Sequence, residues 1–123
     1  MESERHLEAL NRITNRSAKA AYLDLLIAFE RQGFRTSPNS GHAIANRVYD
    51  PNGAYVFAYI ANAAHLLFYV RHPAFDAFQG LRDAALHAGL GFSSNAAGEL
   101  TLRIETTEDA EKALSWLGQT LDW

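Results

Sequence analysis

The stretch YVFAYIANAAHLLFYVR, Tyr55 to Arg71, decides the fold of this chain. It holds most of one run rich in aromatic and branched aliphatic residues, Ala54 to Ala61, and all of a second, His65 to Arg71, joined by a short polar and alanine segment. Side chains of these types fill a pleated, half-buried surface, so the two runs read as paired antiparallel strands. A strand in a two-layer domain alternates apolar with polar positions. Here both alternating sets are apolar or aromatic, so the hairpin has a second face that needs a purpose.

Register settles which residues share that face, because a shift of one residue moves every side chain to the other side. With Asn62-Ala63 as a two-residue turn, one face carries Tyr55, Phe57, Tyr59, Leu66, Phe68 and Val70. The other then carries Val56, Ala58, Ile60, His65, Leu67, Tyr69 and Arg71. A three-residue turn, Asn62-Ala63-Ala64, instead leaves Val56, Ala58, Ile60, Leu66, Phe68 and Val70 on one face and gathers the tyrosines, the histidine and the arginine on the other. The three-residue turn is favoured, since it lets hydroxyl, imidazole and guanidinium tips share water away from the core. It makes Tyr55, Phe57, Tyr59, His65, Tyr69 and Arg71 the candidate binding surface, because Tyr and Arg supply the anchoring residues of interfaces. Against it stands the ordinary fate of strand aromatics, burial under a neighbouring helix.

Upstream of the hairpin, His42 to Tyr49 alternates, and Asp50-Pro51-Asn52-Gly53 is a tight reversal, completing a three-stranded meander. Arg35 to Gly41, RTSPNSG, has the composition of a loop. Further back, Leu7, Leu10, Thr14, Ala18, Ala21, Tyr22, Leu25 and Phe29 recur at helical spacing. The main helix is expected from about Ser17 to Gln32, capped by Ser17, with helical residues before it that form one continuous helix or a separate one. Gly33 ends it, with Phe34 folding back on the last turn.

Downstream, Pro73 opens a helix that runs through Phe75, Phe78, Leu81 and Leu86 to Gly89, interrupted by Gly80 at a cost of about 1 kcal/mol. Phe92 to Ser94 reads as a short strand, and Glu99 to Glu105 as a longer one with Leu100, Leu102 and Ile104 inward. Thr106 and Asp109 form a capping box before a last helix whose buried stripe is Ala110, Ala113, Leu114, Leu117 and Leu121. The expected fold is a single α+β domain over residues 1 to 123. Its antiparallel sheet, a meander plus one or two later strands, packs with N-terminal, middle and C-terminal helices.

A chain of 123 residues that is 48% hydrophobic and 20% charged fits one such domain. It has no cysteine, which rules out disulfides, thiolate metal sites and thiol nucleophiles. The opening MESERHLEALNR is charged where a signal peptide is apolar, and no window reaches the roughly 18 apolar residues of a membrane span. A cytoplasmic location without a membrane partner is expected. Nine arginines against two lysines, with abundant alanine, point to GC-rich coding in keeping with a bacterial source.

Chemistry-bearing motifs are scarce. His6, His42, His65, His72 and His87 show no HExxH spacing, and the chain has neither GxSxG nor a glycine-rich phosphate loop. No catalytic residue, metal ligand or cofactor is assigned; His65 as a general base requires a cleft that also holds a carboxylate. Net charge is only −3, but Glu99 to Trp123 carries six acidic residues against two basic ones. Arg5, Arg12, Arg16 and Lys19 share one stripe if the first helix is continuous, a geometry able to follow a phosphate backbone. The plainer reading of that stripe is a solvated face balanced by Glu4, Glu8 and Glu30. Trp116 and Trp123 either cover the edge of the core or form an exposed ridge at which a second copy of the chain docks as a homodimer.

These features point to a small non-enzymatic binding or regulatory module that acts through contact with another protein. Inhibitor and immunity proteins of bacterial conflict systems have this size and chemistry. The alternative is a single-stranded nucleic-acid-binding domain, with hairpin aromatics stacking bases and the basic helix stripe meeting phosphates.

Overall fold

The computed structural model describes residues 2–39 and 43–123. In chain order the elements are α1 (Glu2–Arg12), α2 (Arg16–Arg31), β1 (Arg35–Pro38), β2 (Ala45–Tyr49), β3 (Tyr55–Ala61), β4 (Leu66–Val70), α3 (His72–Ala77), α4 (Leu81–His87), β5 (Ser93–Ser94), β6 (Leu100–Ile104) and α5 (Thr107–Leu121). The strands form one six-stranded antiparallel sheet in the order β1-β2-β3-β4-β6-β5. This is the α+β fold that the periodicities predict, with helices before, between and after the strands. None of the described helices is long and apolar enough to cross a membrane. His42, expected to open the first strand of the meander, lies outside the described residues.

Several boundaries differ from expectation for local physical reasons. The N-terminal helix is two helices, and Asn15, not Ser17, caps the second. The Asn15 Oδ1 accepts from the backbone N–H of Ser17 (2.9 Å) and Ala18 (3.3 Å). Its Nδ2 donates to the carbonyls of Ala64 (3.0 Å) and Glu105 (3.1 Å), so one side chain starts α2 and ties it to two distant chain segments. Ser17 serves a different helix, its Oγ accepting from Thr107 N–H at the start of α5 (3.0 Å). Asn15→Ala is therefore expected to destabilise the protein by about 2 kcal/mol, adding stranded carbonyls to the lost cap. Urea unfolding measures this, and a loss no larger than an ordinary surface change would show that the cap and the tie are dispensable.

Arg35 to Pro38 is a strand where a loop is expected, its four residues pairing with Tyr49 back to Asn46. An edge position tolerates the Pro, which has no N–H to give the ladder. The middle helix is split in two at Gly80, whose φ of +78° no helix accommodates. Other signals hold as read. Phe34 N–H reaches the Phe29 carbonyl (3.0 Å) and Gly33 N–H the Glu30 carbonyl (3.1 Å), the two bonds of a Schellman cap. Thr106 and Asp109 make both bonds of the capping box.

The central hairpin corrects the favoured register. Asn62 N–H donates to the His65 carbonyl (2.9 Å), and Ala61, Tyr59 and Phe57 face Leu66, Phe68 and Val70. The turn is therefore even, around Ala63-Ala64, and it sends Phe57 and Tyr59 into the core beside Leu66, Phe68 and Val70. The clamp lies outside the hairpin: Thr14 and Asn15 N–H both donate to the Ala63 carbonyl (2.8 and 3.2 Å).

The helices stack on this inner face. Phe29 of α2 meets Phe57, Tyr59 and Phe68, while Phe78, which follows α3, meets Phe34 and Phe57. α5 packs on α2 and β6, with α4 beside it. α1 is held to the β1 edge by Arg5, whose Nη1 donates to the Pro38 carbonyl (3.4 Å).

Candidate functional site: the outer face of the sheet

The opposite face of the sheet is built in rows by the strand register. One row runs Arg47, Ala58, Tyr69, Thr101 and Ser93; the next runs Ala45, Ile60, Leu67 and Arg103. Third is a row made possible by a β-bulge. Val48 faces Phe57, yet Tyr49 faces Tyr55, which leaves Val56 as an extra residue on β3. Strand alternation alone would send Tyr55 inward with Phe57. The bulge buries Val56 instead and turns Tyr55 outward against Tyr49, their ring centroids 5.3 Å apart.

That row is a ladder of cations and rings. The Arg35 guanidinium lies 4.3 Å from the Tyr49 ring centroid, and that of Arg71 lies 3.7 Å from the Tyr55 ring. Arg71 is further fixed by an Nη1 donation to the Tyr55 carbonyl (2.8 Å) and by Glu99, 3.4 Å from its Nε. Glu99 is held in turn by Asn95 Nδ2 at 3.1 Å.

Between the rows is a depression of about 200 Å³, lined by Ala45, Tyr55, Ala58, Ile60, Tyr69, Arg71 and Glu99. None of these lining residues belongs to a described helix. It exists because two small residues, Ala45 and Ala58, sit where their neighbours are aromatic, branched or charged. Burial raises the Tyr55 phenol pKa, opposed by the positive charges of Arg71 and then Arg47, so the ring stays neutral across the physiological range.

Of the residues the sequence singles out, Tyr55, Tyr69 and Arg71 come together at this depression. Phe57 and Tyr59 do not; they are fully buried on the inner side. His65 is half-buried at the far end of the hairpin, away from the lining, and its Nδ1 has no hydrogen-bond partner among the described residues. Burial lowers its pKa, Arg103 adds to that, and Glu105 opposes it.

No known protein family, curated protein or solved structure matches this chain. Side-chain geometry alone carries the functional reading.

Arg35, Arg47, Tyr49, Ala45, Ala58, Ile60 and Glu99 are parts of this face that the sequence reading leaves out. Arg47 and Tyr49 alternate along one predicted strand, a signal that their shared face could have supplied. The other candidate surfaces fare less well. Trp116 is buried against Phe92 (4.9 Å), and Trp123 packs edge-on to Phe29 (5.8 Å) and Phe34 (5.6 Å), so the pair covers the core. The helix break between Arg12 and Arg16 removes the continuous helix on which Arg5, Arg12, Arg16 and Lys19 would align. Among the described residues no group of three His, Asp or Glu side chains is arranged to hold a metal ion.

Proposed function

We propose that this protein is a small non-enzymatic binding module of the cytoplasm that engages another protein through the outer face of its sheet. One observation supports it above others: Ile60, Leu67, Tyr69, Tyr49 and Tyr55 share a sheet face, amid four arginines, whose depression takes no lining residue from any described helix. A face of aromatic, aliphatic and arginine side chains has the composition of an interface core. An inhibitor or immunity protein is a role of this kind. Single-stranded nucleic acid is the weaker reading, because stacking needs free ring faces and both Tyr49 and Tyr55 already carry a guanidinium.

The test is site-specific photo-crosslinking in cells of the source organism, with the photoreactive residue at Leu67 on the outer face or at Leu23 on the exposed side of α2. A discrete protein adduct from position 67, absent from position 23, is the expected result. Adducts from position 23 alone, a nucleic-acid adduct from position 67, or none at that position would each overturn the reading.

A further inference from the structure

The outer face carries four arginines, and three of them have a partner within the chain. Arg71 meets Glu99, Arg103 meets Glu105, and the Arg35 guanidinium lies over the Tyr49 ring. Arg47 differs. Its Nε is enclosed, and among the described residues it has no acceptor and its guanidinium no carboxylate partner. The enclosed Nε is a standing cost, and the terminal nitrogens of the same guanidinium, which are not enclosed and have no acceptor among the described residues, are where an incoming carboxylate reaches it.

Arg47 stands directly across the strand pair from Ala58, the floor of the depression. Two features thus adjoin on one face: a socket of about 200 Å³ and an arginine donor with no acceptor. At about 30 Å³ per water, the socket holds roughly seven waters, the bulk of one large side chain. Its walls, Tyr55, Tyr69 and Ile60, suit an apolar or aromatic occupant. Charge points the same way. Arg35, Arg47, Arg71 and Arg103 face only Glu99 and Glu105 in these rows, a local positive excess on a chain whose net charge is −3.

We infer that the depression is a socket for one large apolar side chain borne on an acidic segment of the partner protein, and that Arg47 donates to a carboxylate of that segment. This rests on reading the outer face as a protein-docking surface, and it adds the chemistry of what docks. A guanidinium binds a carboxylate with two parallel N–H bonds, so the partner supplies the acceptor that Arg47 lacks. The ring walls and the alanine floor fix which neighbouring side chain follows it in.

A random dodecapeptide display library panned on the immobilised full chain tests this. The expected selection is peptides with a Phe, Tyr, Trp or Leu flanked by Asp or Glu, whose binding weakens with salt. Affinity should fall about 30-fold or more in Arg47→Ala, as when one member of a desolvated charge pair is removed. Arg47→Lys should recover only part of it, since the ammonium lacks the planar fork. Ala58→Leu fills the socket from the open side of the sheet, so it should abolish selection while thermal melts show the fold intact. Peptides without acidic residues, no enriched peptides, affinities untouched by Arg47→Ala, or displacement of the peptide by oligo(dT) would each overturn the inference. A protein adduct from Leu67 alongside a failed selection sinks the inference and leaves the docking reading standing; failure of both removes both.

Discussion

Tyr59→Ala is expected to cost about 3–5 kcal/mol of folding stability, whereas Tyr69→Ala should stay within about 0.5–1 kcal/mol. The two tyrosines occupy neighbouring strands and differ in the face they occupy. Tyr59 is 0% exposed, and its ring sits edge-on to Tyr22 at 5.1 Å and parallel to Phe29 at 6.4 Å. Its hydroxyl accepts from Asn46 Nδ2 at 2.7 Å, and burial raises its pKa well above that of a free phenol. Truncation opens a void and strands Asn46, whose Oδ1 already lacks a partner among the described residues. Tyr69 projects from the outer face among side chains open to solvent, so its removal leaves no closed cavity. Phe68→Ala, fully buried on the Tyr59 side, should resemble Tyr59→Ala. Urea melts of the three variants decide the matter. A small loss at position 59, or a loss at 69 equal to that at 68, would mean that the hairpin register described above is wrong.

That contrast also marks where sequence reading stops. Helices and strands were legible because burial imposes their periods, and caps were legible because Gly33, Thr106 and Asp109 meet a local need. Register was not. Nothing in Asn62-Ala63-Ala64 prefers an even turn over an odd one; the carbonyls of Ala63 and Ala64 are held by Thr14 and Asn15, far away in the chain. The Arg35 to Pro38 strand was hidden by residues that elsewhere make turns, and only its pairing with β2 makes it extended.

The candidate site was legible in part, and not always for the right cause. Tyr69 and Arg71 belong to the outer face by strand alternation in the even register. Tyr55 reaches it by the bulge at Val56, for which the local sequence holds no glycine or other marker. Ala45 and Ala58 matter through what they fail to fill, a property of neighbours in three dimensions. Arg47 looks like any solvated strand residue until its enclosed Nε is seen without an acceptor.

Phe29→Ala is the second large effect, also about 3–5 kcal/mol. The ring is 0% exposed and sits where several elements meet: Phe57 of β3 at 5.6 Å, Phe68 of β4 at 6.4 Å, Phe34 at 5.8 Å and the C-terminal Trp123 at 5.8 Å. It is also the residue whose carbonyl closes the Schellman cap, so the contact with Phe34 that accompanies that cap goes with it. In a Trp116→Phe background the emission of Trp123 should shift to longer wavelength, because its edge-on partner becomes water or void. The loss should be non-additive with Phe57→Leu by about 0.5–1.5 kcal/mol and additive with Tyr69→Ala. A loss below about 1 kcal/mol, or full additivity with Phe57→Leu, would show that these rings do not form one packed unit. Because the sheet stands between Phe29 and Arg47, the folded fraction of Phe29→Ala should bind an acidic peptide as the unsubstituted protein does, while Arg47→Ala loses the peptide and keeps its melting point. Such a double dissociation assigns stability to one face of the sheet and recognition to the other.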